Sequence, residues 1–423
     1  MRKNWLWYQM FRYLIVKCGL YLFYKRIIIE GKEYLPKNKP ILFVPNHQNS
    51  FMDALLVVTH TKPFIYFLTR AQAFSSPLLG KFLRSLNMLP VYRVRDGLSS
   101  VTKNNAIFEE CINYLKRNDA VLVFPEANHD LRRRIRPLSK GFTRIAFDAE
   151  VRENWEMGLH IIPVGVNYTE HRRSRNTVKV VFGSPILMKD FRELYEKDER
   201  EATNELKKQV SDGMKELVMH VPNLDHYPLC KIVLDDLEEN EKKLIDPDLV
   251  NANVKKIEQQ ATPELFETAR KVYELAEKQD FSIKTIRGRK KPILALILLL
   301  PLYLFSWLNN LIPYQVVRKI IASVIKDHAF DASIKFLIGV TLFPLFWMLV
   351  SLILWVSGTS SLFTFGYLVL SVFTAPLFKN ANLLLREAKE KKSFSEFENS
   401  NPKEYQEFLK GIEILNEFRS KVL

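Results

Sequence analysis

The chain has 423 residues, 62 Lys+Arg against 47 Asp+Glu for a net charge of +15, and 47% hydrophobic residues. At about 100 to 200 residues per domain this is room for two or three domains, which excludes a small stapled scaffold. With 14 Gly, 20 Pro and no sustained low-complexity run, collagen-like and linker-like chains are excluded too.

Cys18, Cys111 and Cys230 lie far apart, without a CxxC or a paired Cys/His spacing, so neither a disulfide framework nor a structural zinc site is encoded. They read as small buried hydrophobes in a reducing compartment. The basic excess points to anionic partners: nucleic acid, phosphorylated small molecules or an acidic membrane face. Nucleic acid is set aside, because no RNP, zinc-finger or helix-turn-helix signature accompanies the charge.

In chain order, residues 1–26 form the first region. Asn4 to Tyr24 mixes Trp, Tyr, Phe, Leu and Ile with Arg12 and Lys17 and has no small-residue cleavage site, so it predicts a helix lying in a membrane interface rather than a signal peptide. Residues 27–220 form the second. Here the β-like runs RIIIEG, PILFVPN, PFIYFLT, NMLPVYR, AVLVFPE, HIIPVGVNY and VKVVFG alternate with helical stretches such as Ser50 to His60 and Ser99 to Arg117. That alternation predicts an α/β fold, a mixed sheet covered by helices, with active residues in loops at strand ends.

Residues 191–291 are charged and helical, with Pro222, Pro228, Pro247 and Pro263 as breakers, and 221–291 reads as an accessory region. Residues 292–378 are the membrane candidate. No Asp, Glu, Lys or Arg occurs from Phe336 to Phe378, enough for two crossings with a turn at Gly358 to Ser361, and a further uncharged run covers Pro292 to Val317. Basic residues precede this region (Lys284, Arg287, Arg289, Lys290, Lys291) and follow it (Lys379, Arg386, Lys389), which predicts cytoplasmic flanks and an integral membrane protein with its active site facing the cytoplasm. Two cytoplasmic ends require an even number of crossings, so one of the three runs is expected to be re-entrant or interfacial, unless the charge bias misleads. Residues 379–423 form a helical cytoplasmic tail.

The chemistry concentrates after the strand Pro40 to Pro45, where the chain reads Asn46-His47-Gln48-Asn49-Ser50-Phe51-Met52-Asp53. On one ideal helix His47 and Asp53 would point about 240° apart. They meet only if His47 precedes the helix, with Ser50 near the N-cap and Asp53 near the third helical position. Asp53 then fixes the imidazole tautomer and the other ring nitrogen acts as general base toward a hydroxyl. The competing reading is a capping box, Ser50-x-x-Asp53, with a bystander histidine. Further on, Pro90 to Gly97 carries Arg93 and Arg95 at alternate positions, forks suited to phosphate. Phe124-Pro125-Glu126 ends another strand at a carboxylate, followed by Arg132, Arg133, Arg134, Arg136 and Lys140. His129 and Asp130 lack a convincing ligand set for a metal. His60, ending its helix, reads as a capping or surface residue.

NHQNSFMD, PVYRVRDG, FPEANHD with PLSKG, and HIIPVGVNY with FGSPI resemble, in order, the four blocks of the glycerol-phosphate and lysophosphatidate acyltransferase family, over roughly residues 30 to 190. The resemblance implies that His47 is the catalytic base and Asp53 its partner. It implies further that Arg93 binds the acceptor's phosphate, with Arg95, Glu126, Ala127 and Lys140 around the acceptor, and that Pro163 lies on the acyl-donor side. The family uses an acyl thioester, of coenzyme A or acyl-carrier protein, as co-substrate, with neither metal nor cofactor. The implied partners are membrane lipids, the thioester donor and a glycerol-phosphate acceptor. Two departures stand out: five residues rather than the commoner four separate His47 from Asp53, and Ala127 stands where the third block usually has Gly. The wider spacing is similar to that of the fungal branch acylating glycerol-3-phosphate or dihydroxyacetone phosphate. Rival expectations are another lysolipid or an amine-bearing lipid as acceptor, or a non-catalytic lipid-binding protein.

Overall fold

The computed structural model describes residues 5–92, 99–234, 245–283, 299–324 and 327–423. The chain divides into two compact units: Met1–Arg172 with Thr177–His220, and Arg173–Asn176 with Val221–Leu423.

The first unit is a mixed eight-stranded sheet covered by helices. Its strands are β1 (Arg26–Glu30), β2 (Ile41–Pro45), β3 (Ile65–Arg70), β4 (Met88–Val91), β5 (Ala120–Leu122), β6 (His160–Tyr168), β7 (Thr177–Phe182) and β8 (Ile186–Leu187). The spatial order is β1-β7-β6-β2-β5-β3-β4, with β8 on β6. The seven apolar runs read from the sequence are the first seven strands. β2 and β5 are buried throughout, as parallel strands covered on both faces must be. Among the described residues the antiparallel pairs are β6 with β7 and β6 with β8.

The order matters for the site. β2 lies between β6 and β5 and runs parallel to both, in register Phe43 with Ile162 and Phe43 with Leu122. The C-terminal ends of all three strands therefore meet at one edge, which brings together the segments after Pro45, Leu122 and Tyr168. Ligands of open α/β sheets bind at such an edge.

The N-terminal helical segment runs through Trp5–Met10, a π-helical stretch Phe11–Lys17, and Cys18–Phe23. Arg12, expected among interfacial charges, instead turns inward: it is 2% exposed. Its guanidinium donates to the carbonyls of Pro63, at 3.2 Å, and Thr61. Tyr8 donates to the Ile65 carbonyl at 3.3 Å. These bonds pin one face of the segment to the sheet edge, while Trp5, Leu6, Met10, Leu14 and Leu22 remain exposed on the other. Cys111 and Cys230 are buried as expected, but Cys18 is exposed, because it falls on the outer side of this segment.

In the second unit, two of the prolines read as breakers begin helices: Pro247–Gln260 and Pro263–Lys278, where a missing N–H costs nothing in the first turn. Beyond them stand Leu300–Val324, Asp331–Val356, Ser361–Ser400 and Pro402–Val422. Among the described residues two helical stretches are long and apolar enough to cross a membrane, His328–Val356 and Ser361–Phe378. The turn between them contains Gly358 at φ 88°, within the Gly358 to Ser361 stretch expected to make it. Of the Pro292 to Val317 run, residues 292–298 lie outside the described residues. The three apolar helices are tied by polar side chains. Ser306 donates to the Thr374 carbonyl at 2.6 Å, Tyr367 to Asn309 at 2.6 Å, and the Trp347 indole to Asn310 at 3.0 Å.

Candidate active site

β2 delivers the chain into a tight loop before the helix Phe51–His60. Asn46 anchors the loop to β6: its side chain donates to the Val166 carbonyl at 3.1 Å and accepts from the Val166 N–H at 2.7 Å. Asn49 donates to the His171 carbonyl at 2.9 Å, and the His171 ring lies 2.9 Å from Gln48 Oε1. Ser50 turns the chain with φ 48°, a left-handed backbone for a residue with a Cβ.

Within this frame His47 Nδ1 lies 3.1 Å from Asp53 Oδ2. The same oxygen accepts from the backbone N–H groups of Gln48 at 3.0 Å and Asn49 at 2.8 Å. Ser50 occupies the N-cap and Asp53 the third helical position, as the spacing requires, yet the Ser50 side chain makes no capping bond. Asp53 therefore organises the histidine loop rather than a capping box. Its other oxygen accepts from the Tyr168 hydroxyl at 2.6 Å. Burial, with the charge of Asp53 adding to it, holds the Tyr168 phenol well above its usual range, so it stays a donor.

The His47 ring stacks on Phe124, centroids 3.8 Å apart, and meets His129 edge-on at 5.7 Å. Burial lowers the His47 pKa, the hydrogen bond and charge of Asp53 oppose that shift, and His129 and Arg136 add to the lowering. The imidazole is thus neutral near pH 7, with Nδ1 committed to Asp53 and Nε2 carrying the lone pair.

The segment after β5 closes the site from the other side. Glu126 Oε1 accepts from the His47 N–H at 2.9 Å, and Oε2 accepts from Arg136 Nε at 2.8 Å and its N–H at 3.2 Å. Burial raises the Glu126 pKa and the Arg136 charge opposes it. The Asp130 N–H returns to the His47 carbonyl at 3.1 Å. Ala127 sits at φ 57°. That left-handed position is one that glycine adopts freely, which gives a physical sense to the glycine usual there in the family that the sequence resembles.

Of the other expected site residues, Lys140 is exposed at the start of the helix Gly141–Arg152. Pro163 is buried inside β6 opposite Val44, and a Cβ at Gly213 would meet its ring at 3.4 Å. Arg93 and Arg95 lie outside the described residues. They follow β4 directly, and the preceding Tyr92 exchanges backbone bonds with the Asn104 side chain at 2.9 and 2.7 Å.

The basic loop is used internally. Arg132 and Arg134 reach Asp130, at 2.9 and 3.6 Å, and Arg133 donates to the carbonyls of Tyr168 at 3.1 Å and Thr169 at 3.0 Å. Among the described residues no three of His, Cys, Asp and Glu converge as metal ligands. His60, read as a surface or capping residue, is 5% exposed, and burial pushes its pKa down to about 4. Sequence reasoning missed Asn46, Tyr168, His171 and the Phe124 stack as parts of this site. Tyr168 stood within a quoted block, but only the β2–β6 pairing shows what it touches.

A buried carboxylate fixing a neutral histidine at the C-terminal edge of a mixed sheet is an arrangement able to take a proton from a hydroxyl. Residues 26–167 match the family model for Acyltransferase, so this part of the chain is an acyltransferase-family domain. The chain is 28% identical over 142 residues, 34% of its length, to a 1-acyl-sn-glycerol-3-phosphate acyltransferase of Chlamydomonas reinhardtii. It is 26% identical over 121 residues, 28% of its length, to an uncharacterized acyltransferase of Schizosaccharomyces pombe. The chain spans 38% and 18% of the lengths of these two relatives. Among solved structures it is similar to the 1-acyl-sn-glycerophosphate (LPA) acyltransferase PlsC from Thermotoga maritima, with TM-score 0.35, 21% identity, and 50% of this chain and 83% of that chain covered.

Proposed function

We propose that this protein is a membrane-bound acyltransferase that moves a fatty acyl group from an acyl thioester to a hydroxyl of a glycerol-phosphate acceptor, glycerol-3-phosphate or lysophosphatidate, in phospholipid synthesis. The observation that carries the reading is the His47–Asp53 pair, 3.1 Å apart and locked by Tyr168, inside the acyltransferase-family domain.

Nε2 of His47 takes the proton of the acceptor hydroxyl as its oxygen attacks the thioester carbonyl. The C–O bond forms, the C–S bond breaks, and the departing thiolate takes the proton back from the imidazolium. Asp53 stabilises the transient cation and keeps Nδ1 protonated. Arg93, with Arg95 and Lys140, is assigned to the acceptor's phosphate, making the attack nearly intramolecular. Glu126 serves that side through the loop it holds, and Pro163 is assigned to the donor side. The donor is the acyl thioester of coenzyme A or of acyl-carrier protein, which leaves as the free thiol, with no further cofactor.

Membrane attachment is supported by the two apolar helices and by the outer face of the first unit. There Trp5, Leu6 and Leu14 are exposed, as are Leu78 and Phe82 of the helix Pro77–Ser85, and Phe11 meets Phe82 at 5.8 Å. The basic flanks favour a cytoplasmic active site. The test is a product analysis with long-chain acyl thioester and separate acceptors: glycerol-3-phosphate, dihydroxyacetone phosphate, lysophosphatidate and neutral lysolipids. Acylation confined to phosphate-bearing acceptors supports the reading, and acylation of neutral lysolipids alone refutes it.

A further inference from the structure

In the second unit the helices Leu300–Val324 and Ser361–Ser400 run side by side, joined at Ser306 with Thr374 and at Asn309 with Ser371 and Tyr367. Tyr314 and Phe378 set their heights level, with ring centroids 5.0 Å apart. The helix Asp331–Val356 returns the chain between them, so the two run in the same direction. Just past Phe378, where the apolar stretch ends, they frame a groove of about 540 Å³. One wall includes Trp307, Leu311, Tyr314 and Arg318, the other Leu385, Arg386 and Lys389, and the carboxylates of Asp280 and Glu390 also line it, leaving the three cations in excess by one.

The lining changes character along the groove. At 1.5 Å per residue, Trp307 lies about 10 Å on the apolar side of Tyr314, whereas Arg318 lies about 6 Å beyond it. Arg386 and Lys389 lie about 12 and 16 Å beyond Phe378. The apolar end therefore faces the span and the cationic end faces its mouth.

The cations are held in place. Glu390, 5% exposed, accepts from Arg386 Nε at 2.8 Å, and Arg173 stands 3.7 Å from it. Lys389 donates to Asp280 at 2.9 Å. Using Nε for Glu390 leaves the outer nitrogens of the Arg386 guanidinium for a ligand. Among the described residues Arg318 pairs with no carboxylate.

We infer that this groove binds a membrane glycerophospholipid with an anionic headgroup: phosphate at Arg318, Arg386 and Lys389, and acyl chain along Leu311 and Trp307. A cavity of this size fits a headgroup and the first part of a chain. Basic pockets between helices at a membrane boundary recognise such headgroups. The inference rests on the apolar helices spanning a membrane and not on the acyl-transfer reaction.

The test is native mass spectrometry of the full chain in neutral detergent, incubated separately with phosphatidylglycerol, phosphatidylcholine and inorganic phosphate. Phosphatidylglycerol is neither acceptor nor product of the proposed reaction, so its retention is read independently of the His47 site. The expected result is retention of phosphatidylglycerol over phosphatidylcholine, reduced about tenfold by Arg318→Gln and by Lys389→Gln. Lys207→Gln, on the helix Glu199–Leu217 of the first unit, leaves it unchanged. Thermal melting followed by circular dichroism confirms that the variants are folded, and Arg318→Gln breaks no ion pair among the described residues. Equal retention of the two lipids overturns the inference, as does binding of inorganic phosphate without lipid, or unchanged retention in both folded groove variants.

Discussion

Asp53→Asn separates charge from geometry at the centre of the site. The carbonyl oxygen of the amide can take the place of Oδ2 and still accept from His47 Nδ1, Gln48 N–H and Asn49 N–H, now 2.8 to 3.1 Å away. The amide nitrogen then faces the Tyr168 hydroxyl, which can turn and accept. The loop is therefore retained, while the negative charge that stabilises the imidazolium is lost. At the observed 3.1 Å, with an effective dielectric of about 20, that attraction amounts to about 5 kcal/mol. At 1.36 kcal/mol per decade, turnover falls about 10³- to 10⁴-fold. Because Asp53 opposes the lowering of the His47 pKa, any residual activity shows its acid limb at lower pH than in the wild type. The assay is the initial rate of thiol release at saturating donor and acceptor, with circular dichroism confirming the fold. A folded variant within tenfold of wild-type turnover refutes the assignment of Asp53 as the charge partner of His47.

With His47 as the proposed base, and its pKa below the usual value, kcat/KM is expected to follow its neutral form: a pH-rate profile shows an acid limb with its midpoint below about 6.5 and a plateau by neutral pH. Ala127→Gly relieves the left-handed backbone at φ 57°. It raises stability by about 0.5 to 1 kcal/mol, seen as a higher melting temperature. Glu126→Gln keeps an acceptor for the His47 N–H but leaves the largely buried Arg136 without its carboxylate, costing about 3 kcal/mol. Melting measurements detect the loss, and adding Arg136→Gln recovers part of it.

The strands that build the site were legible because β2, β5 and β6 are parallel to one another and buried, which writes them as apolar runs ending at Pro45, Leu122 and Tyr168. Strand order was not legible, since it depends on packing between segments far apart in the chain. That separates the two halves of the site. His47 and Asp53 are six residues apart, and helix geometry alone required the loop-then-helix arrangement. Tyr168 reaches Asp53 across 115 residues of chain, and no local pattern encodes that bond.

Arg12 shows the same limit from another side. Its charge amid aromatic residues suggested a lipid interface, but its partners are the carbonyls of Pro63 and Thr61 near the start of β3. The basic residues after Glu126 were legible as a cluster, but their partners were not. The structure gives Arg132 and Arg134 to Asp130, Arg133 to the end of β6, and Arg136 to Glu126.

The most direct test of the central claim is the acylated product formed by the full-length protein in anionic liposomes with long-chain acyl thioester and a glycerol-phosphate acceptor, compared with His47→Ala. The account predicts a product that depends on both thioester and acceptor and disappears in the variant, while membrane insertion is unchanged. Product formation by His47→Ala at a rate near that of the unsubstituted protein contradicts it.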